Sequence, residues 1–200
     1  RNGGITHSVL EKMFMYPIVL AGFGVIACVV GIAYILLKEL SEDPRRELNV
    51  STFVSAGLTI ALAGVMSWSM FRGEDLSGLS FNMGPLSPWL ASVLGIVAGV
   101  VIGFIAEYYT SYDFAPTKSI AGASIEGPAL TITQGMAVGM RSTMAPVLLL
   151  GATVIAAYGV AGMYGIAMAA VGMLSFVVTT VTIDTYGPLS DNAGGIAGMR

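Results

Sequence analysis

The longest uncharged stretch of the chain covers residues 142–183 and reads STMAPVLLLGATVIAAYGVAGMYGIAMAAVGMLSFVVTTVTI. Its 42 residues are about twice the number that a helix needs to cross a bilayer. A charge near the bilayer centre costs at least about 2.5 kcal/mol, so a long uncharged stretch indicates membrane helices. Gly159, Gly162 and Gly165 lie near its middle and favour a tight reversal. The stretch therefore predicts two membrane helices joined by a turn.

Three shorter uncharged runs precede it, each long enough for one membrane helix. They cover residues 13–37, 48–71 and 76–106. Open sheets cannot span lipid, because their edges leave backbone groups unpaired, so the β-branched segments are interpreted as helix. The predicted fold is an all-α, polytopic transmembrane helix bundle, about five helices of a larger bundle. We expect a single transmembrane region over 1–200, with helices at about 13–37, 51–71, 89–112, 127–157 and 162–198.

The composition agrees with a membrane protein. Hydrophobic residues make up 55% of the chain, the mean hydropathy is +0.80, and charged residues reach 10%, against about 25% in soluble domains. This argues against a soluble enzyme, a disordered chain and a nucleic-acid partner. With only Cys28 and His7 available, cysteine and histidine metal sites are excluded. Oxygen ligands would have to hold any metal.

The charges that flank the predicted helices suggest how the chain is oriented in the membrane, and its two ends suggest a fragment. Lys38, Arg45, Arg46 and Lys118 fall in the loops at 38–50 and 113–126, which favours those loops and the C-terminus as cytoplasmic. Because the chain starts with Arg1 and stops inside a helix-like stretch, we expect an internal segment of a larger protein.

Two aspartates on the last predicted helix are the leading functional candidates. Asp184 and Asp191 are seven residues apart, which places both on one side of a helix, about 10.5 Å apart along its axis. Pro188 lies between them and can kink the helix. Paired carboxylates beside the amide of Asn192 are oxygen ligands suited to Mg²⁺. The alternative is that Asp191 only marks where the helix leaves the membrane.

Two further charges lie in or beside predicted spans. Glu107 ends the third helix, where a carboxylate opposes the helix dipole and needs a specific partner, such as Lys118. The alternative is an interfacial acid beside aromatic residues. Arg141 interrupts the fourth helix, and a structural ion pair is favoured over a substrate contact.

Together these stretches resemble a known family. GMYGIA (162–167), GMLS (172–175) and IDTYGPLSDNAGGIA (183–197) are very similar to a signature helix of the membrane-bound, ion-pumping pyrophosphatases. EYYTS (107–111) matches a second family stretch two helices earlier. The resemblance has the family's order and spacing over most of the chain and is weakest before residue 90.

The resemblance implies an enzyme and a pump. It implies a homodimer in the cell membrane that hydrolyses pyrophosphate at its cytoplasmic side with Mg²⁺, and K⁺ as a further cofactor in some members. Hydrolysis would drive H⁺ or Na⁺ across the bilayer.

By position, the resemblance also implies roles for individual residues. Asp191 is a metal ligand, Asp184 and Glu107 belong to the ion path or its coupling, and Asn192 supports the metal centre. Arg141 stands where other members often have Lys. The family's lysine-containing acidic motifs have no counterpart here, so the segment alone is expected to be inactive.

Two other interpretations remain at this stage. A secondary transporter segment would use the same acids for ion coupling without hydrolysis. A purely structural bundle would leave the intramembrane charges without a reason.

Overall fold

A computed structural model describes residues 6–37 and 44–199, without the side chains at positions 35, 36, 44–47, 183, 184, 186, 187 and 190. The described residues are mostly helical and include no strand, which confirms the predicted all-α fold. Its helices are α1 (His7–Leu37), α2 (Pro44–Phe71), α3 (Ser87–Thr110), α4 (Ala115–Ser124), α5 (Pro128–Leu174) and α6 (Val177–Gly198), with a 3-10 turn at Gly84–Leu86.

Four stretches of the described chain are long and apolar enough to cross a membrane. They are His7–Tyr34, Leu48–Phe71, Gly84–Ser124 and Pro128–Thr182. Within lipid the helix satisfies every backbone group internally, so β-branched runs such as Val177–Thr182 are helical despite their weaker helix propensity. Two of the cations that set the predicted orientation, Arg45 and Arg46, have side chains outside the described set, and Lys38 lies outside the described residues.

The structure differs from the predicted helix limits in three places. α1 and α2 begin six and seven residues earlier than expected, because a charge gap detects only the apolar part of a helix and not its polar first turn. The segment 113–126, expected as a loop, contains α4, whose first turn includes Pro116 with its preset φ. The helix expected at 162–198 is divided at Ser175 and Phe176.

The predicted reversal near residue 160 lies inside α5. Gly162 has φ +60° and ψ −147°, a conformation that favours glycine, and Ala161 is also non-helical. A Cβ on Gly165 would overlap the carbonyl oxygen of Ala157, which lies about 12 Å away along a straight helix. The chain therefore folds back on itself, and α5 consists of a first arm (128–160) and a second arm (163–174).

Small residues let the second arm of α5 cross α3 at backbone contact. A Cβ on Gly95 would overlap the carbonyl oxygen of Ala169, and one on Gly172 would overlap that of Ser92. Apolar burial provides little net force between helices in lipid, so such close packing supplies the attraction instead. Gly99 also faces this crossing, where an added Cβ would lie 3.0 Å from side-chain atoms of Met173 and Phe176. By contrast, a Cβ on Gly103, Gly135 or Gly139 would meet no described atom within 4 Å, so none of these three glycines lies at a close helix contact within the described chain.

An aromatic cluster closes the end of the bundle where α2 stops. Tyr16 and Phe71 have ring centroids 5.9 Å apart, Phe71 and Phe81 are 5.8 Å apart, and Phe81 and Tyr164 are 5.7 Å apart. This chain of rings joins α1, α2, the segment 72–83 and the second arm of α5. The segment also contacts the turn of α5, since the backbone N–H of Asn82 donates to the Val160 carbonyl at 3.1 Å. These contacts hold α1, α2 and α5 together at the end of the bundle that the charge pattern predicts to face away from the cytoplasm.

An ion pair ties α1 to this segment. Lys12 Nζ lies 2.6 Å from Glu74 Oε1, and Ser8 Oγ donates to Glu74 Oε2 at 2.9 Å. The Lys12 ammonium, and after it the Ser8 hydroxyl, hold the pKa of the Glu74 carboxyl below its ordinary value of 4.5. Because the pKa is lower in the folded chain, the pair stabilises it above that ordinary value, and the stabilisation is lost as the pH falls through the folded-state pKa.

We expect Glu74→Gln to lower the Tm of the protein slightly at neutral pH and not at all in acid. The amide keeps the shape of the side chain and removes the charge that Lys12 stabilises. Thermal unfolding in detergent across the acid range measures the difference. Glu126→Gln, an exposed change at the other end of the bundle, is the control. An equal deficit of Glu74→Gln at neutral and strongly acidic pH would contradict the assignment.

Candidate functional site

The candidate site lies on α6, which continues from the second arm of α5. The second arm runs parallel to α1, since Tyr164 Oη donates to the Met13 carbonyl at 2.9 Å and Ser175 lies beside Gly24. Thr179 then meets Ser55 of α2. Because α1 and α2 are antiparallel, with Tyr16 beside Phe71 and Gly31 beside Ser55, the step from Ser175 to Thr179 leads toward the end of the bundle where α2 begins.

α6 keeps the register that the sequence predicts for its two aspartates. The helix is continuous from Val177 to Gly198 and includes Pro188. Seven residues along such a helix bring positions 184 and 191 to one side of it. The side chain of Asp184 lies outside the described set, whereas those of Asp191 and Asn192 are exposed. The backbone therefore meets the spacing requirement, and Asp191 is accessible to a ligand.

Every described side chain from Thr180 to Met199 is exposed. This part of α6 carries no packed face within the described chain, although it contains the longest quoted motif. The first turn differs, because Thr179 is 1% exposed and Phe176 is 5% exposed. α6 is thus packed against the other helices at its start, and Asp191 lies on the exposed part that follows.

Glu107 lies in the last turn of α3, toward the same end of the bundle. The rings of Phe53 on α2 and Phe104 on α3 are 5.6 Å apart, which sets the level of this turn beside the start of α2. Glu107 is half-buried, and its carbonyl accepts the amide of Ser111 at 2.9 Å. Aromatic residues surround this helix end, with Tyr108 and Phe114 rings 5.2 Å apart. The predicted aromatic setting of Glu107 is present.

Arg141 lies on the first arm of α5 with an exposed side chain. Within the described chain, no ion pair joins it to an acid. The sequence-based expectation of a structural ion pair therefore has no support among the described residues.

The donor chemistry on α6 fits one part of a Mg²⁺ site. The Asp191 carboxylate and the Asn192 amide oxygen are hard ligands of the kind that Mg²⁺ prefers, and both are exposed. Among the described side chains, no three His, Cys, Asp or Glu residues come together to hold a metal ion. An ion at Asp191 would take its remaining ligands from water, from substrate or from other segments.

Comparison with known proteins decides the family. The family model described as Inorganic H+ pyrophosphatase matches residues 4–200. This chain belongs to that family. Membership in the inorganic H+ pyrophosphatase family agrees with the resemblance of the α6 motif and disfavours both the transporter and the purely structural interpretation.

Curated relatives of this chain include both sodium and proton pumps. A K+-stimulated pyrophosphate-energized sodium pump of Thermotoga maritima is 43% identical over 98% of the chain. Two K+-insensitive pyrophosphate-energized proton pumps, of Moorella thermoacetica and Caldanaerobacter subterraneus, are 37% and 35% identical over 94% of it. The chain spans about a quarter of the length of these relatives, 27% of the Thermotoga maritima pump and 28% of the Moorella thermoacetica pump.

The structure also shows a group of residues that sequence reasoning missed. Ser51, Ser55 and Thr59 of α2 are each 0% exposed, although all carry hydroxyls. Their spacing of four residues places them on one face of the helix, a signal that was readable in the sequence. Charge-based reasoning overlooked them because hydroxyl residues are common in membrane helices.

Proposed function

We propose that this chain is a segment of a membrane-bound, ion-translocating pyrophosphatase, a homodimer in the cell membrane that couples hydrolysis of pyrophosphate to transport of H⁺ or Na⁺. The match to the family over residues 4–200 carries the proposal. The named activities of the relatives support it, since pyrophosphate energises each of them.

The proposed binding group is the Asp191 carboxylate. Pyrophosphate carries several negative charges, so Mg²⁺ supplies charge neutralisation and polarises the phosphoryl oxygens when it is bound. Asp191 holds the metal from an exposed position on α6, and Asn192 orients the same centre through its amide. With one proposed metal-binding carboxylate, the chain needs the rest of the protein for turnover.

The proposed coupling group is Asp184, two helical turns before Asp191 and on the same side of α6. It binds a proton or a sodium ion. Release of the anionic phosphate products near position 191 changes the electrostatic field at position 184, about 10.5 Å away along a continuous helix. Glu107 takes part from the end of α3, and Arg141 supplies a cation from the first arm of α5.

The proposal predicts phosphate release from pyrophosphate by membranes that contain the full-length protein. Release is expected to require Mg²⁺ and to stop with EDTA, because the substrate binds as its metal complex. Vesicles report the transported ion, since Na⁺ stimulation indicates a sodium pump and a signal abolished by protonophore indicates a proton pump. Assays with and without K⁺ compare the protein with its two kinds of relatives. Absence of Mg²⁺-dependent phosphate release would refute the proposal.

A further inference from the structure

The direction of α6 is not set by a continuous helix. Ser175 ends α5, and Phe176 has φ −109° and ψ 9°, so the regular helical hydrogen bonds stop before Val177. The Ser175 hydroxyl donates to the Gly172 carbonyl at 2.6 Å, which completes the end of the second arm. Because the helix is interrupted here, contacts with other helices take part in fixing the orientation of α6.

Two helices supply those contacts. On α1, the Cys28 thiol lies 3.7 Å from the Ser175 carbonyl oxygen, and Gly24 packs against the same residue. On α2, Ser55 Oγ and Thr179 Oγ1 are 3.0 Å apart and form a hydrogen bond. Both hydroxyl residues are at most 1% exposed, so water does not compete for this bond.

The position of Asp191 depends strongly on the orientation of the first turn of α6. Asp191 follows Thr179 by twelve residues, so it lies about 18 Å farther along the helix. A tilt of about 5° at Thr179 would move position 191 by roughly 1.5 Å. A misplacement of about 1 Å can reduce a reaction rate by about 100-fold. Small losses of restraint at Thr179 are therefore amplified at Asp191.

We propose that Ser55 and Thr179 are positioning residues that orient α6 and thereby place Asp191 for pyrophosphate hydrolysis. The inference rests on the proposed function, because the reaction gives Asp191 its role. The two residues act through α6 and do not touch the substrate. Their bond joins positions 124 residues apart in the chain.

Ser51 provides a matched control. It lies one turn before Ser55 on the same face of α2 and is 0% exposed, and its hydroxyl oxygen has no hydrogen-bond partner among the residues that the structure describes. Ser51→Ala therefore removes the same atom as Ser55→Ala, from the same helix face, without breaking a bond to α6.

The test compares Ser55→Ala, Thr179→Val and the double variant with Ser51→Ala and Thr179→Ser in the full-length protein. We expect the first three to lower kcat for pyrophosphate by about tenfold or more. The double variant should lose no more than either single change, because all three break one bond. Thr179→Ser retains the hydroxyl, and it and Ser51→Ala should stay within about twofold of the wild type.

A second measurement does not depend on hydrolysis. Labelling of Cys28 by a maleimide, followed by mass spectrometry of its peptide, reports how tightly Ser175 and Phe176 at the start of α6 pack against α1. We expect labelling to rise at least severalfold in Ser55→Ala and Thr179→Val and to remain at the wild-type rate in both controls.

The two readouts separate the two proposals. If Ser55→Ala and Thr179→Val keep the wild-type kcat, the positioning role is overturned, whatever the labelling shows. If all variants including Ser51→Ala lose activity equally, the role is again overturned, because the effect is not specific to the bond. If the wild-type protein does not hydrolyse pyrophosphate, the proposed function fails, while unchanged Cys28 labelling would show separately that the bond does not hold α6.

Discussion

Replacing Asp191 with Asn in the full-length protein is expected to lower the rate of pyrophosphate hydrolysis by about 100-fold or more. Asn keeps the size of the side chain but removes the negative charge that attracts Mg²⁺. Loss of about 3 kcal/mol of transition-state stabilisation corresponds to such a factor. If the substitution acts by weakening the affinity for Mg²⁺, an excess of Mg²⁺ should restore part of the hydrolysis rate.

The measurement is phosphate release over a range of Mg²⁺ concentrations. Asp75→Asn is the control, since it makes the same chemical change at the opposite end of the bundle. There the carboxylate accepts the amide of Ser77 at 3.0 Å, a bond that the Asn oxygen can also accept. Wild-type activity and Mg²⁺ dependence in Asp191→Asn would remove Asp191 from the metal centre.

The second large effect concerns stability. Gly95→Ala is expected to destabilise the protein by about 2 kcal/mol, in the range of overpacked cores. The added Cβ would overlap the Ala169 carbonyl oxygen and come within 2.8 Å of its Cα, both of which belong to a helix backbone. A backbone cannot rotate away as a side chain can, so α3 and the second arm of α5 must separate.

Thermal unfolding of the protein in detergent, followed by circular dichroism, measures this loss. Gly103→Ala lies two turns farther along α3, where a Cβ meets no described atom within 4 Å. Alanine has the better helix propensity, so this control should be neutral or slightly stabilising. Equal melting temperatures for Gly95→Ala and the wild type would show that the crossing of α3 and α5 is looser than the structure indicates.

The two predictions differ in how much of their basis was readable from the sequence. Asp191 stands out because a carboxylate beside an apolar helix is costly and rare, and its spacing from Asp184 needs only the helical repeat. Gly95 was readable as a packing residue, but its partner Ala169 was not. Which small residues meet across a crossing depends on the angle and register of two helices, which no local pattern specifies.

The pair of Ser55 and Thr179 lay further beyond sequence reasoning. The hydroxyl of a buried serine or threonine on a membrane helix usually donates to a carbonyl one turn earlier in the same helix, as that of Thr59 does to the Ser55 carbonyl at 2.8 Å. That Ser55 instead reaches α6 follows from the break at Ser175 and Phe176, and the apolar sequence around that break shows no glycine or proline at the two positions.

The amino-acid sequence by itself determined the membrane spans, the reversal inside α5, the spacing of Asp184 and Asp191 and the pyrophosphatase resemblance. These depend on charge, composition and helical periodicity, which act over one or two turns of chain. Only the tertiary structure decided where α6 separates from α5, which residues hold it and which glycines carry a helix crossing. Those features arise when surfaces far apart in the chain pack together, because steric fit and hydrogen bonding between them are properties of the pair and not of either segment.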